Sequence, residues 1–505
     1  MLGDQPESIN HGSSSRAPGG SKWSAARPYC SALILIIFTA LYLYLGRHLI
    51  NQTNGDRNRS DQQNNISLAL KAKEFASPDF SAGLSQALWN WFPHYTDGVV
   101  NPLWPWVAAR IYPDGQGEEE FFVRGKWWNL GITLAILLLG AGLISRYFSL
   151  PATLNILLLA GLGAFLPRAV WFQPEPLYFI LFLAAWICAV MTMLKNSLWR
   201  HALFGILTGL AYLTKASALP LMVAFLSIST LRFLITWVSR KRSDQHDRTS
   251  PDWNLNSHIL GSLLCILTFL MTAGPLLNSS YKRFGNIFGN YPGYWMWLDN
   301  FEPQGIDFLI KYNTREKLEN IPENEKPSLA LYLKTHTLDQ ATQRLTGGIK
   351  STSKGFLFPK RAKIRKEGPA PWRVLLPSRG IHLMFLAGIL ALIWLYSLLP
   401  RKSNLGRYPP GSLTVVTFVI TTLVGYLLLF SWYSPIGKGD RFMLALYVPI
   451  AFSLIWAAES IYRRIRENED KRILPVIYCT AHLTLSAMIL WRIYELANHP
   501  VFFTK

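Results

Sequence analysis

Charge and cysteine are both scarce in this chain. Only 16% of its 505 residues are Asp, Glu, Lys or Arg, while 50% are hydrophobic. The four cysteines, Cys30, Cys188, Cys265 and Cys479, fall in or beside apolar runs, so a disulfide framework in an aqueous domain is not indicated. Several motifs of soluble enzymes are missing as well. The sequence contains no Walker loop, no Rossmann glycine pattern beside a strand and no His-x-x-x-His helix. Its ten histidines are scattered, and only His94, next to Tyr95, lies near acids. No metal site or organic cofactor is expected, although a transient divalent ion is compatible with the chemistry discussed below.

Long apolar runs are abundant. Segments near 29–50, 127–147, 151–166, 177–194, 201–214, 217–238, 258–277, 381–399, 412–431, 441–462 and 473–494 have the length and composition of membrane helices. About 20 apolar residues cross ~30 Å of hydrocarbon. The expected fold is therefore an all-α polytopic membrane protein with about eleven spans, of which the third and fifth are short. The first run is long and lacks a clear cleavage site, which marks it as an anchor rather than a signal peptide.

The formal net charge is +20, but the basic residues fall mostly between apolar runs, which argues against nucleic-acid binding. With the N-terminus in the cytoplasm, the short inward loops carry Arg146, then Lys195 and Arg200, then Arg240, Lys241 and Arg242. Further along, Arg401, Lys402 and Arg407, and then Arg463, Arg464 and Arg466, continue the pattern. This is the bias that sets orientation in short loops, and it predicts N-terminus in and C-terminus out. Four regions follow. Residues 1–28 read as a polar cytoplasmic tail, and 29–277 as a membrane core with a first outer loop at 51–126. Residues 278–380 read as an outer lid, and 381–505 as the C-terminal membrane helices.

Polar chemistry collects on the predicted outer side. The stretch "AVWFQPEPLYFILF", residues 169–182, places Glu175 between two prolines at a membrane margin. Ionisable groups there are expensive, so such a carboxylate is a functional candidate; it also suits a helix N-terminus for purely structural reasons. The first outer loop holds Asp61, Asp79 and Asp97 among many aromatic residues. "LTKASALP" carries Lys215, "NSSYKRFGN" carries Arg283, and "WYSPIGKGDRFM" carries Lys438 and Arg441. Each has an ordinary reading: a solvated acid, a snorkelling lysine, a basic juxtamembrane turn. Their gathering on one side beside apolar walls suits an anionic lipid head group.

Several pieces together resemble the GT-C superfamily of polytopic glycosyltransferases, which includes protein O-mannosyltransferases and the aminoarabinose transferase acting on lipid A. The likeness runs from about residue 79 to 462. "DFSAGLSQALWNWFPHYTDGVVNPLWPWVAA" looks like the family's first outer loop, and "EEEFFVRGKWWNLGITLAIL" like the start of its second span, with Arg124 in the usual place. "FQPEPLYFILFLAAW" is similar to its second acidic loop, and "GILTGLAYLTKASALP" to its Lys-bearing hairpin. "NSSYKRFGN" and "GDRFMLALYVPI" match later pieces in order. One departure is plain: a polar insert separates the first span from its acid, and Phe80 stands after Asp79, where the family pairs its acid with Glu. Asp79, Asp97 and Asp61 are thus all candidates for the first acid, in that order.

The resemblance implies a polyprenyl-phosphate-sugar donor and transfer to a lipid, glycan or protein acceptor on the outer face of a plasma membrane. Asp79 or Asp97, with Glu175, would be the catalytic carboxylates. Arg441, Lys215, Arg283 and Lys438 would face the donor phosphate. The few cysteines and the lack of an endoplasmic-reticulum signal point to a bacterial cell envelope. A transporter or scramblase of lipid-linked sugars is the alternative; it would show ionisable groups near mid-span and two similar halves.

Overall fold

The computed structural model describes residues 22–52, 56–58, 61–75, 95–112, 117–242, 255–358, 379–398, 412–437, 443–468 and 473–498. Asp79, Lys438 and Arg441 lie outside them, as do the tail at 1–21 and the "SAGLSQALWNWF" segment. Among the described residues every regular element is helical.

The helices, in chain order, begin with α1 (Lys22–Gln52), α2 (Gln62–Phe75), α3 (Leu103–Ile111), α4 (Glu118–Ile144) and α5 (Leu150–Ala169). Next come α6 (Glu175–Leu194), α7 (Leu198–Thr214), α8 (Leu219–Arg242) and α9 (Leu255–Phe284). Four short helices follow: α10 (Tyr291–Trp295), α11 (Ile306–Lys311), α12 (Arg315–Glu319) and α13 (Leu329–Thr335). The chain ends with α14 (Leu338–Leu357), α15 (Arg379–Leu398), α16 (Ser412–Trp432), α17 (Leu444–Asn468) and α18 (Ile473–Asn498).

Ten of the described helices are long and apolar enough to cross a membrane. Their outer surfaces keep large apolar side chains exposed, such as Ile36, Leu143, Met271, Ile420 and Trp491. A water-facing surface would not tolerate so many; a lipid-facing one requires them. The chain is a multi-pass integral membrane protein. The eleventh expected span is α7, which at 17 residues falls short of the others. It rises only about 25 Å. It is nonetheless inside the bundle, because glycines let it approach α9 closely. A Cβ at Gly205 would collide with Thr268 and the carbonyl of Cys265, and one at Gly209 would come within 2.7 Å of Thr272. Small residues four apart are the usual device for close helix contact in lipid.

Successive spans alternate in direction, so their ends define two faces. One carries the start of α6 and the end of α7 and is called the Glu175 face. The opposite face carries Arg146, Lys195, Arg200 and Arg463. There Glu459 is almost wholly buried, accepting from Ser149 N–H at 3.0 Å, Ser149 Oγ at 2.8 Å, Tyr478 hydroxyl at 2.8 Å and Arg463 Nε at 3.0 Å. These four donors join α17 to α18 and to the start of α5.

On the Glu175 face, α10 to α14 build a layer over the bundle. The sequence predicts helix in "ENEKPSLALYLKTHTLDQATQRLTGGIK", and α13 and α14 occupy it. Thr337 starts α14 with a capping box, its side chain and that of Gln340 each serving the other's backbone N–H. Arg344 fastens α14 to the end of α16: Nε donates to the Trp432 carbonyl at 3.1 Å and Nη2 to the Met296 carbonyl at 3.0 Å. Gly348 meets the Ser431 carbonyl so closely that a Cβ has no room.

Candidate functional site

The loop between α5 and α6 places Glu175. Two polar side chains hold its backbone. Asn129 of α4 donates through Nδ2 to the carbonyls of Trp171 at 2.9 Å and Gln173 at 3.1 Å. Gln62 of α2 accepts from Phe172 N–H at 2.9 Å. The Phe172 ring sinks among Trp104, Phe121 and Phe122, with centroids 5.6, 5.0 and 6.4 Å away. Gly125 exists for that ring, since a Cβ there would overlap it. Pro174 then caps α6, and Pro176 fills its first turn, where a missing N–H costs nothing.

Glu175 is therefore the first residue of α6, with its carboxylate at the positive end of the helix and only 2% of the residue exposed. Its Oε1 accepts from Lys215 Nζ at 2.8 Å. Lys215 comes from the break between α7 and the turn Ala216–Ala218, where its extended backbone directs the chain into α8. Its side chain is 21% exposed, so the pair lies at the edge of the buried region. Beside it Ser217 Oγ donates to the Tyr178 hydroxyl at 3.1 Å, and the Tyr426 hydroxyl donates to the Ser217 carbonyl at 2.5 Å. Helices α6, α7, α8 and α16 thus meet at one polar point.

Asp97 belongs to the "YTDGVVN" turn. Its Oδ1 accepts from the N–H groups of Val99 at 2.9 Å and Val100 at 2.7 Å. Gly98 follows at φ +86°, a conformation that favours glycine, and sits against Phe284 and Tyr291. The Gly98 carbonyl accepts from Tyr291 N–H at 3.0 Å, and Asn101 Nδ2 donates to the Tyr212 carbonyl in the last turn of α7. Three residues beyond Tyr212 stands Lys215. The 97–101 turn is thereby tied to the strip of chain that carries the ion pair.

Arg283 ends α9 and stacks over the Tyr291 ring at 5.5 Å. It and Asp97 converge on Tyr95. Burial raises the Tyr95 hydroxyl above its ordinary value, and the Asp97 charge adds to the rise while the Arg283 charge opposes it. Four sequence candidates are thus placed on one face, as Glu175 with Lys215 and as Asp97 near Arg283. Asp61 is also described; its backbone carbonyl accepts from Asn65 Nδ2 at 2.7 Å at the start of α2.

Sequence reasoning passed over Lys126. Arg124, two residues earlier, is exposed, whereas Lys126 is 1% exposed with its ammonium 3.8 Å from the Phe122 ring centroid. It lies one turn before Asn129, on the helix that clamps the Glu175 loop. The signal was present: a lysine and an asparagine three apart inside an apolar run share a helical side. No family model matches the chain, and no curated protein matches it.

Proposed function

We propose that the chain is a membrane glycosyltransferase that moves a sugar from a polyprenyl-phosphate donor to an acceptor at the Glu175 face. The observation that carries this reading is the Glu175–Lys215 pair. A carboxylate and an ammonium 2.8 Å apart sit at the membrane margin, on a backbone fixed by two other helices. Such fixing is expected where charge must be met in a set geometry, since preorganised groups need no rearrangement during reaction. The order of motifs resembling GT-C enzymes supports the same reading.

In this mechanism an acceptor hydroxyl attacks the anomeric carbon. Its proton passes to a carboxylate, the bond from that carbon to the phosphate oxygen breaks, and polyprenyl phosphate leaves with the bonding electrons. Asp79 is the favoured base and Asp97 the second choice. Asp97 Oδ1 is committed to its turn, which leaves Oδ2 as the oxygen for such work. Glu175 orients the acceptor, and Lys215, held by it, presents positive charge toward the leaving phosphate. Arg441, Arg283 and Lys438 supply further positive charge; an arginine can grip phosphate oxygens bidentately. The proposed setting is the outer face of a bacterial plasma membrane.

Mass spectrometry of lipid-linked glycans from cells lacking the protein tests the assignment. Build-up of one polyprenyl-phosphate sugar together with loss of one modified acceptor is the expected result. An unchanged lipid-linked pool with every acceptor still modified would sink it.

A further inference from the structure

The layer on the Glu175 face extends past the edge of the bundle. Along α16, Ile420, Val424 and Leu428 are exposed and line its lipid-facing side. Ser431 and Trp432 come three and four residues after Leu428, so they continue that side. Both are covered nevertheless. Gly348 of α14 lies against the Ser431 backbone, and Ser431 is fully buried. The Tyr332 ring of α13 meets Trp432 edge-on, with centroids 5.1 Å apart. Helices α13 and α14 therefore overhang the lipid-facing side of α16, at the level where its apolar span ends.

Aromatic rings mark that level. Trp297 lies 5.8 Å from Trp432, and Trp432 Nε1 donates to the Met296 carbonyl at 2.9 Å. The Arg344 guanidinium stands over Trp432 at 4.7 Å and over Tyr332 at 5.1 Å. Trp and Tyr gather at membrane interfaces because the ring suits the apolar side and the polar tip the wet one.

The flank of α13 next to Tyr332 is apolar. At about 100° per residue, Leu329, Leu333 and Ala330 follow one another around the helix, and Lys334 comes next. All four are exposed. Leu329 and Leu333 keep 51% and 59% of their surface, and Leu338, the first residue of α14, keeps 82%. Large apolar side chains exposed together, outside every span, mark an interaction surface.

We infer that α13 and the start of α14 lie on the lipid leaflet of the Glu175 face, with Leu329, Leu333 and Leu338 inserted at the boundary between head groups and acyl chains. An apolar flank with a lysine at its margin suits that depth. The leucines leave water, and the long Lys334 side chain carries its ammonium back to the phosphates. The partner is lipid rather than another protein because the flank stands on the lipid-facing side of α16. The inference rests on the fold and is independent of the glycosyltransferase reading.

The test uses the full chain in phosphatidylcholine nanodiscs that hold one copy each. In a variant without the native cysteines, nitroxides at Leu329→Cys, Leu333→Cys and Leu338→Cys are compared with one at Gln343→Cys, an exposed position on the side of α14 away from Gly348. Oxygen concentrates in lipid and a nickel chelate in water. The ratio of oxygen to nickel collisions should be severalfold higher at the three leucine positions than at 343. Photolysis of the wild-type chain with a phospholipid carrying a diazirine near its glycerol guards against damage by the substitutions, and label should fall on residues 329–338. Nickel access at 329, 333 and 338 equal to that at 343, or an unlabelled 329–338 segment beside labelled spans, overturns the proposal. Protection from both probes, with dipolar broadening when discs hold a pair of copies, overturns the lipid assignment and makes the flank a contact between copies.

Discussion

Glu175 and Lys215 form a contact whose structural weight can be measured apart from any chemistry. Removing one partner takes from the other its opposite charge at 2.8 Å, and breaking a buried pair in this way typically costs about 3–5 kcal/mol. Glu175→Gln alone should therefore lower thermal stability. Glu175→Gln combined with Lys215→Met removes both charges and should recover most of the loss, because a well-packed apolar substitute is often neutral. Differential scanning of the purified single and double variants checks this; a double variant no more stable than the single would mean the pair is not isolated in the way described. Nothing in the sequence reveals that Lys215, 40 residues on, is the partner of Glu175. Gly98 makes a second residue-level case. At φ +86° with Phe284 2.7 Å from a hypothetical Cβ, Gly98→Ala adds backbone strain of roughly 1–2 kcal/mol and a clash. The expected result is lower melting temperature, and faster proteolysis in the 95–101 turn.

At the scale of elements, most helices were readable and their pairings were not. Apolar length gave the spans directly, and the proline on each side of Glu175 gave the start of α6. α7 was expected as a short span over 201–214; it runs Leu198–Thr214 and ends where Lys215 turns the chain at once into Ala216–Ala218. What could not be read was which distant polar residue meets which: Gln62 with Phe172, Asn129 with Gln173, Asn101 with Tyr212. These contacts join segments tens of residues apart, and a single sequence holds no periodic trace of them. The α14–α16 crossing gives an element-level prediction. Gly348→Val places a branched side chain against the Ser431 backbone and should lift α14 from the end of α16 while the membrane bundle stays folded. Hydrogen exchange would show this as lost protection in 338–357, with protection in the spans unchanged. Uniform loss everywhere would contradict the separate layer described here.

For the whole molecule, alternating spans sort the charges onto two faces, and orientation follows from which face is cytoplasmic. The positive-inside count predicts that the Glu175 face is the outer one. Single cysteines at positions 244 and 355, introduced in a variant lacking the native four, report this by labelling in intact cells. Position 355 should react before permeabilisation and 244 only after it; the reverse would invert the topology. The central claim is that chemistry happens at the outer face rather than passage through the bundle. Its most direct test is release of polyprenyl phosphate by purified protein in proteoliposomes. The assay takes polyprenyl-phosphate mannose and polyprenyl-phosphate aminoarabinose as donors, a membrane extract as acceptor, and Asp79→Asn, Asp97→Asn and Glu175→Gln alongside the wild type. The account predicts release by the wild type with one donor. At least one carboxamide variant should be slower by about 10²-fold or more while still binding that donor, as expected for loss of a general base. Near-normal release by all three variants, or movement of intact donor across the bilayer without release, would contradict it.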